Sequence, residues 1–353
     1  MKKIFLTTIA LLSIVSASVF GMYGVDSGWI NFLTHGNQFR ARLDQLGFTL
    51  GNDTIKGTFG FNNNAGYGGV YGDLLSTANG GITYDFKPSI SMGLGYTSSL
   101  ISVGVGYNAT IGTDYKGGGK SYNPVAHTPV LVLNAMDNAF RMAIPIQVYA
   151  DGNTNAVSVD SQFRYYTGLD MFPEIRLYLR YGGGNYKEGN VSAKIGESFG
   201  FDFRLYFGSM VEEVALKPYV RLVYNGALGK YHDNTRVEAV KVMKKQQSGS
   251  SIIFAKNAWI LNLVAGLGLS ANSDIVSLYL EPSLGLTVNQ KASIDKNAKE
   301  TYGLGYDVYA EIYITPLKNL EWYFEASIGN LDANTKGVSF ASSTGITWYL
   351  PAL

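Results

Sequence analysis

The residues of this chain that could do chemistry are few, and most fail on spacing. Gly196, Ser198 and Gly200 match the G-x-S-x-G nucleophile elbow. That motif needs a strand, a sharp turn and a helix to expose the serine oxygen. Ser198 instead sits inside an alternating run that continues to Phe207, with no base placed beside it, so the match is accidental and no enzyme is expected. His35, His127 and His232 are the only histidines and are far apart in the chain. Cys is absent. Metal centres, thiolate chemistry, a disulfide scaffold and a lipid-modified N-terminal cysteine are therefore not expected, and no cofactor is called for.

What remains is charge on alternate positions. If the apolar alternates face one way, Arg141, Arg164, Arg176, Arg180, Arg204, Lys217 and Arg221 share the other face, opposed on the same segments only by Asp160, Glu174 and Asp202. Downstream, Glu281, Asp307, Glu311, Glu321 and Glu325 share that face with no basic partner among them. Where consecutive segments are neighbours in space, one interior wall is basic and another acidic. Two readings follow. In the first, the walls set up a transverse field across a water-filled pore and orient polar solutes, with Arg176 and Arg180 governing anions and Glu311 and Glu325 governing cations. In the second, the interior neutralises itself and its ion pairs close the lumen.

The elements that must carry these charges are strands. Val276, Leu278, Leu280, Pro282, Leu284 and Leu286 alternate with Ser277, Tyr279, Glu281, Ser283, Gly285 and Thr287. Phe199, Phe201, Phe203, Leu205 and Phe207 alternate with Gly200, Asp202, Arg204 and Tyr206, and Leu320, Trp322, Phe324, Ala326 and Ile328 with Glu321, Tyr323, Glu325 and Ser327. Runs near ten residues suit membrane strands of about 9–11 residues better than soluble strands of about 5–6. Connections are unequal: 135–139, 270–274 and 315–319 are tight, while 111–126, 227–254 and 288–301 are long and polar. Trp259, Trp322 and Trp348 sit near segment ends, where an interfacial girdle would lie. The expected fold is all-β, an antiparallel transmembrane barrel of about 14 strands, within roughly 12 to 16 and even in number. Main barrel strands are read over 81–350. The segment 22–80 contributes a hairpin, 46–50 with 55–61 around Gly51, Asn52 and Asp53. One feature conflicts with this reading: 86–89 and 97–99 are successive connections, yet both are short.

Composition agrees. Basic and acidic residues number 28 and 27 in 353, so bulk charge offers nucleic acid nothing. Charged residues make up 16%, below the usual share of about 25%. After the N-terminus no apolar run approaches the 18 or so residues of a membrane helix. The first 21 residues read as a cleaved export signal: Lys2 and Lys3, an apolar run 4–15, then small residues through Gly21. The mature protein, 22–353, is a single domain on this reading. Two stretches carry helical spacing. One is 37–46, with Phe39, Leu43 and Leu46 on one face. The other is 236–247, opened by a Thr235–Glu238 capping box and closed by Lys241, Lys244 and Lys245, as the helix dipole prefers.

The C-terminus carries an address. Ser343, Gly345, Trp348 and Leu350 fall as polar, glycine, aromatic and hydrophobic at the spacing that resembles the signal read by the outer-membrane barrel-assembly machinery, although Pro351, Ala352 and Leu353 follow it. The stretch MYGVDSGWINFLTHGNQFRARLDQLGF at 22–48 resembles the start of the variable surface proteins of intestinal spirochaetes (Brachyspira), and the resemblance is most specific over 22–61. It implies an abundant, antigenically variable outer-membrane protein and supplies no catalytic or binding residues. Expected partners are outer-membrane lipid, the assembly machinery and host surfaces or antibodies, with a homo-oligomer left open. A porin-like surface antigen and a closed-lumen adhesin both fit.

The segment 227–254 is the longest polar connection and carries Lys241, Lys244 and Lys245 on what should be an exposed loop. Trypsin added to intact cells should cut near Lys244 or Lys245. Protection on whole cells, with cutting only after the outer membrane is ruptured, would mean that the topology is inverted or the loop folds inward.

Overall fold

The computed structural model describes residues 28–42, 45–62, 89–111, 115–117, 120–122, 125–150, 154–188, 191–211, 213–228, 246–248, 251–253, 259–289, 300–330 and 338–351. Among the described residues sixteen barrel strands follow one another: β1 Gln38–Arg42, β2 Gln45–Gly51, β3 Ile55–Asn62, β4 Ser89–Tyr96, β5 Ile101–Ile111, β6 Val125–Ala135, β7 Phe140–Ala150, β8 Thr154–Tyr166, β9 Glu174–Glu188, β10 Val191–Tyr206, β11 Val214–Leu228, β12 Trp259–Asn272, β13 Val276–Asn289, β14 Thr301–Leu317, β15 Leu320–Gly329 and β16 Ser339–Tyr349. Each pairs antiparallel with the next. β1 then pairs with β16 from Gln38↔Tyr349 to Arg42↔Gly345, and the sheet closes into a barrel.

Alternation explains which side is which. On β13 the even positions Leu278, Leu280, Leu284 and Leu286 are exposed, while Tyr279, Glu281 and Ser283 point inward. The same inversion runs around the barrel: Trp322, Phe324, Ile346 and Trp348 are exposed, and Thr49, Ser91, Asn108, Thr110 and Asp202 are buried. An apolar outer band over a polar interior is the arrangement a bilayer requires, because only a closed ladder leaves no backbone group unpaired in hydrocarbon.

The four longest connections share one rim. At the opposite rim the connections are 52–54, 97–100, 136–139, 167–173, 207–213, 273–275 and 318–319, and β1 begins and β16 ends there. At the first rim 63–88, 112–124, 229–258 and 290–300 are long, while 43–44, 151–153 and 189–190 are short. The apparent conflict between two successive short connections dissolves. β3 pairs directly with β4, Asn62 opposite Ser89, so 63–88 is one connection and the 81–86 segment lies outside the described residues.

The strand number, sixteen, is even and lies within the expected range of roughly 12 to 16, and three of these strands precede residue 63. The expected hairpin supplies two of them, β2 and β3. One expectation is revised. The third strand, β1, occupies the stretch that reads as helical at 37–46. Here the helical spacing yields to closure: without β1, the edges of β2 and β16 would be left unpaired in the bilayer. As a strand, the segment turns Phe39 toward lipid and Gln38 and Arg40 into the barrel, where both are buried. Of the second candidate helix, 236–245 lies outside the described residues. Gln246 and Gln247 belong to a short ribbon, Gln246–Ser248 with Ser251–Ile253.

Leu284 is 70% exposed on the apolar band, whereas Thr287 on the same strand looks into the lumen opposite Gly303, around which there is open space. Leu284→Arg should cost about 2–4 kcal/mol near mid-membrane, and Thr287→Arg far less. Equal losses in urea-titrated folding into lipid vesicles would show that the inner and outer faces are assigned the wrong way round.

Candidate lumen site and its plug

The interior is divided between a dry side and a charged side. On the dry side lies a short 3-10 helix, Trp29–Thr34, immediately before β1. Trp29, Ile30 and Phe32 are fully buried and Leu33 nearly so, packed with Val130, Val132 and Ala143 on the inner faces of β6 and β7. Burying a large apolar side chain contributes about 1.5–3 kcal/mol, so these four residues hold the helix inside the barrel. The wall is cut to receive it. Gly93 pairs with Gly106 and Gly95 with Gly104, which forms a window of four glycines on β4 and β5. A Cβ on Gly106 would lie 2.3 Å from the Trp29 ring, and one on Gly95 2.4 Å from Leu33.

Polar ties finish the docking. Arg141 Nη1 donates to Asn31 Oδ1 at 3.0 Å and to Thr34 Oγ1 at 3.3 Å. Lys56 Nζ donates to the carbonyls of Leu33 at 3.0 Å and His35 at 2.6 Å, where the helix ends and its dipole favours a cation. His35 Nδ1 lies 2.8 Å from Gln38 Nε2. Burial, reinforced by Arg40, Lys56 and Arg141, pushes the His35 imidazole down to about 3, so it is neutral at ordinary pH and accepts from Gln38.

The charged side lies on β7 to β11. Arg141 pairs with Arg164, Arg164 with Arg176, Arg176 with Arg204, and Arg204 with Arg221, an arginine row across five strands. Arg176 and Lys217 share Glu174 at 2.5 and 2.6 Å. Arg204 and Arg221 share Asp202 at 2.7 and 2.9 Å, and Arg180 takes Asp160 at 3.1 Å. Tyrosine rings lie beneath the guanidinium groups: Tyr166 under Arg141, Tyr206 under Arg176 and Tyr178 under Arg204, at 4.6–4.9 Å.

The acidic residues are held mainly by tyrosine. Glu311 accepts from Tyr309 at 2.5 Å and Tyr313 at 2.9 Å, and Glu281 from Tyr219 at 2.9 Å and from Tyr279. Asp307 lies against Gly329, and Glu321 faces inward opposite Thr347. Glu325 departs from expectation. It forms an ion pair with Arg42 Nη2 at 2.6 Å, so this wall is not without a base. Arg42 and Arg40, which lies over the Tyr323 ring at 4.7 Å, come from β1. Both are absent from the sequence-level wall because that stretch reads as helix. The alternation of Gln38, Arg40 and Arg42 with Phe39 and Ala41 was the available signal. The docked helix also went unread, although Trp29, Ile30, Phe32 and Leu33 and the glycines at 93, 95, 104 and 106 mark it.

Ser198 lies within β10, paired with Gly182 and Ala227, without the turn an elbow needs. In the C-terminal address, Ser343 Oγ accepts from Arg42, Gly345 faces Arg42 across the closing seam, Trp348 is exposed toward lipid and Leu350 follows the strand end. Lys241, Lys244 and Lys245 lie outside the described residues.

Gly106→Val should force the helix off its seat. In a background where Trp259, Trp322 and Trp348 are Phe, Trp29 emission should shift to the red and quench readily with acrylamide. Gly303→Val, placed in open space, should leave both unchanged. A buried Trp29 signal that survives Gly106→Val would refute the docking.

Among solved structures the chain resembles a bacterial polysaccharide outer membrane secretin at 9% identity, covering 89% of this chain and 97% of that one, with a TM-score of 0.46. It also resembles the translocator domain of the autotransporter NalP from Neisseria meningitidis at 12% identity, over 90% and 89% of the two chains, with a TM-score of 0.34. For the outer-membrane protein OmpT of Vibrio cholerae the identity is 11%, the coverage 89% and 97%, and the TM-score 0.33. The chain spans 42% of the copper transporter OprC, which it matches at 10% identity and a TM-score of 0.41. None of the curated proteins matches. The family profile of the Serpulina hyodysenteriae variable surface protein matches residues 2–349. With nearly its whole length inside that profile and a closed sixteen-strand barrel to match, this outer-membrane surface protein belongs to the Serpulina hyodysenteriae variable surface protein family.

Proposed function

We propose that the protein is a variable surface antigen whose barrel also passes small polar solutes through a narrowed lumen. The observation that carries this reading is a sixteen-strand closure with ionised side chains on its inner face. Barrels of about sixteen strands are wide enough for water, and ionised groups that line such a space are better served by water than by a dry core. Export by residues 1–21 would deliver 22–353 to the outer membrane, with the terminal strand read by the assembly machinery. The long connections at the rim opposite the start of β1 and the end of β16 then face outward, where host surfaces and antibodies would meet them.

A second reading is favoured by the docked helix: a barrel closed on its dry side and braced by ion pairs on the other serves as a surface scaffold that conducts nothing. Planar-bilayer recording separates the two. Protein shown to be folded by heat-modifiable migration should give discrete conductance steps. Arg180→Glu with Arg221→Glu should move the reversal potential in a salt gradient toward cation selectivity, because both side chains keep about a quarter of their surface accessible. Silence from folded wild-type protein would leave the scaffold reading in its place.

A further inference from the structure

Four cations of the basic side stand in front of the carboxylates they pair with. Asp160, Glu174 and Asp202 keep 7%, 1% and 0% of their side-chain surface, whereas Arg180, Lys217, Arg204 and Arg221 keep between 23% and 27%. These side chains sit on the inner faces of β9, β10 and β11, so the surface they keep opens on the lumen. They are also spread along it. Arg204 and Arg221 lie in one row with Arg176. β9 and β11 run in the same direction, and Arg180 lies four residues beyond the row on β9 while Lys217 lies four residues before it on β11. At about 3.3 Å per residue the accessible cations cover roughly 25 Å along the tilted strands, most of the height of an apolar band.

The opposite wall is turned the other way. Glu311 and Glu325 are buried. Both oxygens of Glu311 accept from phenols, Oε1 from Tyr309 and Oε2 from Tyr313, and both of Glu281 do the same, Oε1 from Tyr219 and Oε2 from Tyr279. Glu325 gives Oε1 to Arg42 and Oε2 to Tyr309. Oε1 of Glu321 is enclosed, and Asp307 is half-buried toward the rim of the long connections. A solute in the lumen therefore meets tyrosine where the sequence alone suggests carboxylate, and meets guanidinium and ammonium groups directly on the other side. The nearer and less enclosed charges dominate the field that a mobile ion feels.

We propose that the lumen is a path for small anions, with Arg180, Arg204, Lys217 and Arg221 as its selectivity residues and the acidic wall structural. This rests on the pore reading above and names its solute class. Cationic side chains along a pore wall favour anions, and several spaced sites let an ion move on instead of being held at one. Lys217→Gln and Arg221→Gln are the informative changes, because each leaves its carboxylate with a partner: Glu174 keeps Arg176 and Asp202 keeps Arg204. Full-length mature protein, folded in detergent and verified by heat-modifiable migration, is recorded in planar bilayers across a potassium chloride gradient. The wild type should reverse toward the chloride equilibrium potential, with chloride severalfold more permeant than potassium. Lys217→Gln with Arg221→Gln should bring that ratio at least halfway to unity. Glu281→Gln with Glu311→Gln should leave it nearly unchanged, and Glu281→Gln alone serves if the pair does not fold. Two walls of equal effect would instead make the glutamate changes raise anion preference as much as the cation changes lower it. Conductance without anion preference, or that equal and opposite response, would overturn this proposal and leave the pore reading standing. Silence from folded wild-type protein would remove both.

Discussion

Everything else in this molecule depends on a five-residue seam. Hydrocarbon offers no hydrogen bonds, so a sheet that crosses a membrane cannot keep an edge. Here the last edge is removed by Gln38–Arg42 pairing with the strand that ends at Tyr349. The seam does more than close a ladder. Asn37, just ahead of it, donates from Nδ2 to the carbonyls of Gly51 and Pro351, and its own carbonyl accepts from the Leu350 amide. The start of the chain's first strand, the end of its second and the end of its last are thereby clasped at one rim. Because the 3-10 helix lies directly before that clasp, only a few residues separate it from a fixed point, and it can reach only the nearby interior wall. The glycine window on β4 and β5 lies within that reach.

Closure also settles the interior electrostatics. The seam strand brings Arg40 and Arg42 to the side of the barrel that carries Glu311, Glu321 and Glu325. Without it that wall would hold several carboxylates and no cation, which a low-dielectric enclosure tolerates poorly. The remaining carboxylates are managed by phenol hydroxyls. Tyr outnumbers Phe, 25 to 18, and the reason lies in position. Tyr219, Tyr279, Tyr309 and Tyr313 fill interior volume with aromatic carbon and donate to Glu281 and Glu311 at the same time. On the basic side Tyr166, Tyr178 and Tyr206 turn their faces instead to arginine. One residue type therefore satisfies both signs of charge, through its hydroxyl or through its ring.

Much of this was legible beforehand, and the parts that were not share a cause. Period-2 alternation is a strong signal over ten or more residues, so β10, β13 and β15 could be read with the correct faces. The five residues of β1 are too short for alternation to outweigh helical spacing, and what makes them a strand is a partner more than 300 positions away. The pairing of Arg42 with Glu325 was hidden for the same reason. The arginine row, by contrast, could be listed residue by residue, but its register could not, because a two-residue shift in any turn would break the row while leaving every residue on the same face. The docked helix was missed for another reason. Six residues are too few for periodicity, and its proof lies in glycines on two distant strands.

The barrel also explains where variation can be carried. Outward positions must satisfy lipid and inward positions must satisfy charge or the helix seat, so a substitution on a strand is constrained from one side or the other. Connections at the rim where β1 begins and β16 ends are held short by the ladder and, in part, by the clasp. The connections 63–88, 112–124, 229–258 and 290–300 join strands whose pairing is complete without them, since Asn62 already meets Ser89 and Gly226 already meets Trp259. Loop closure grows only slowly in cost with length, so these segments can lengthen or change composition with little effect on the ladder. A barrel built this way keeps its membrane physics in the strands and leaves this rim free to differ.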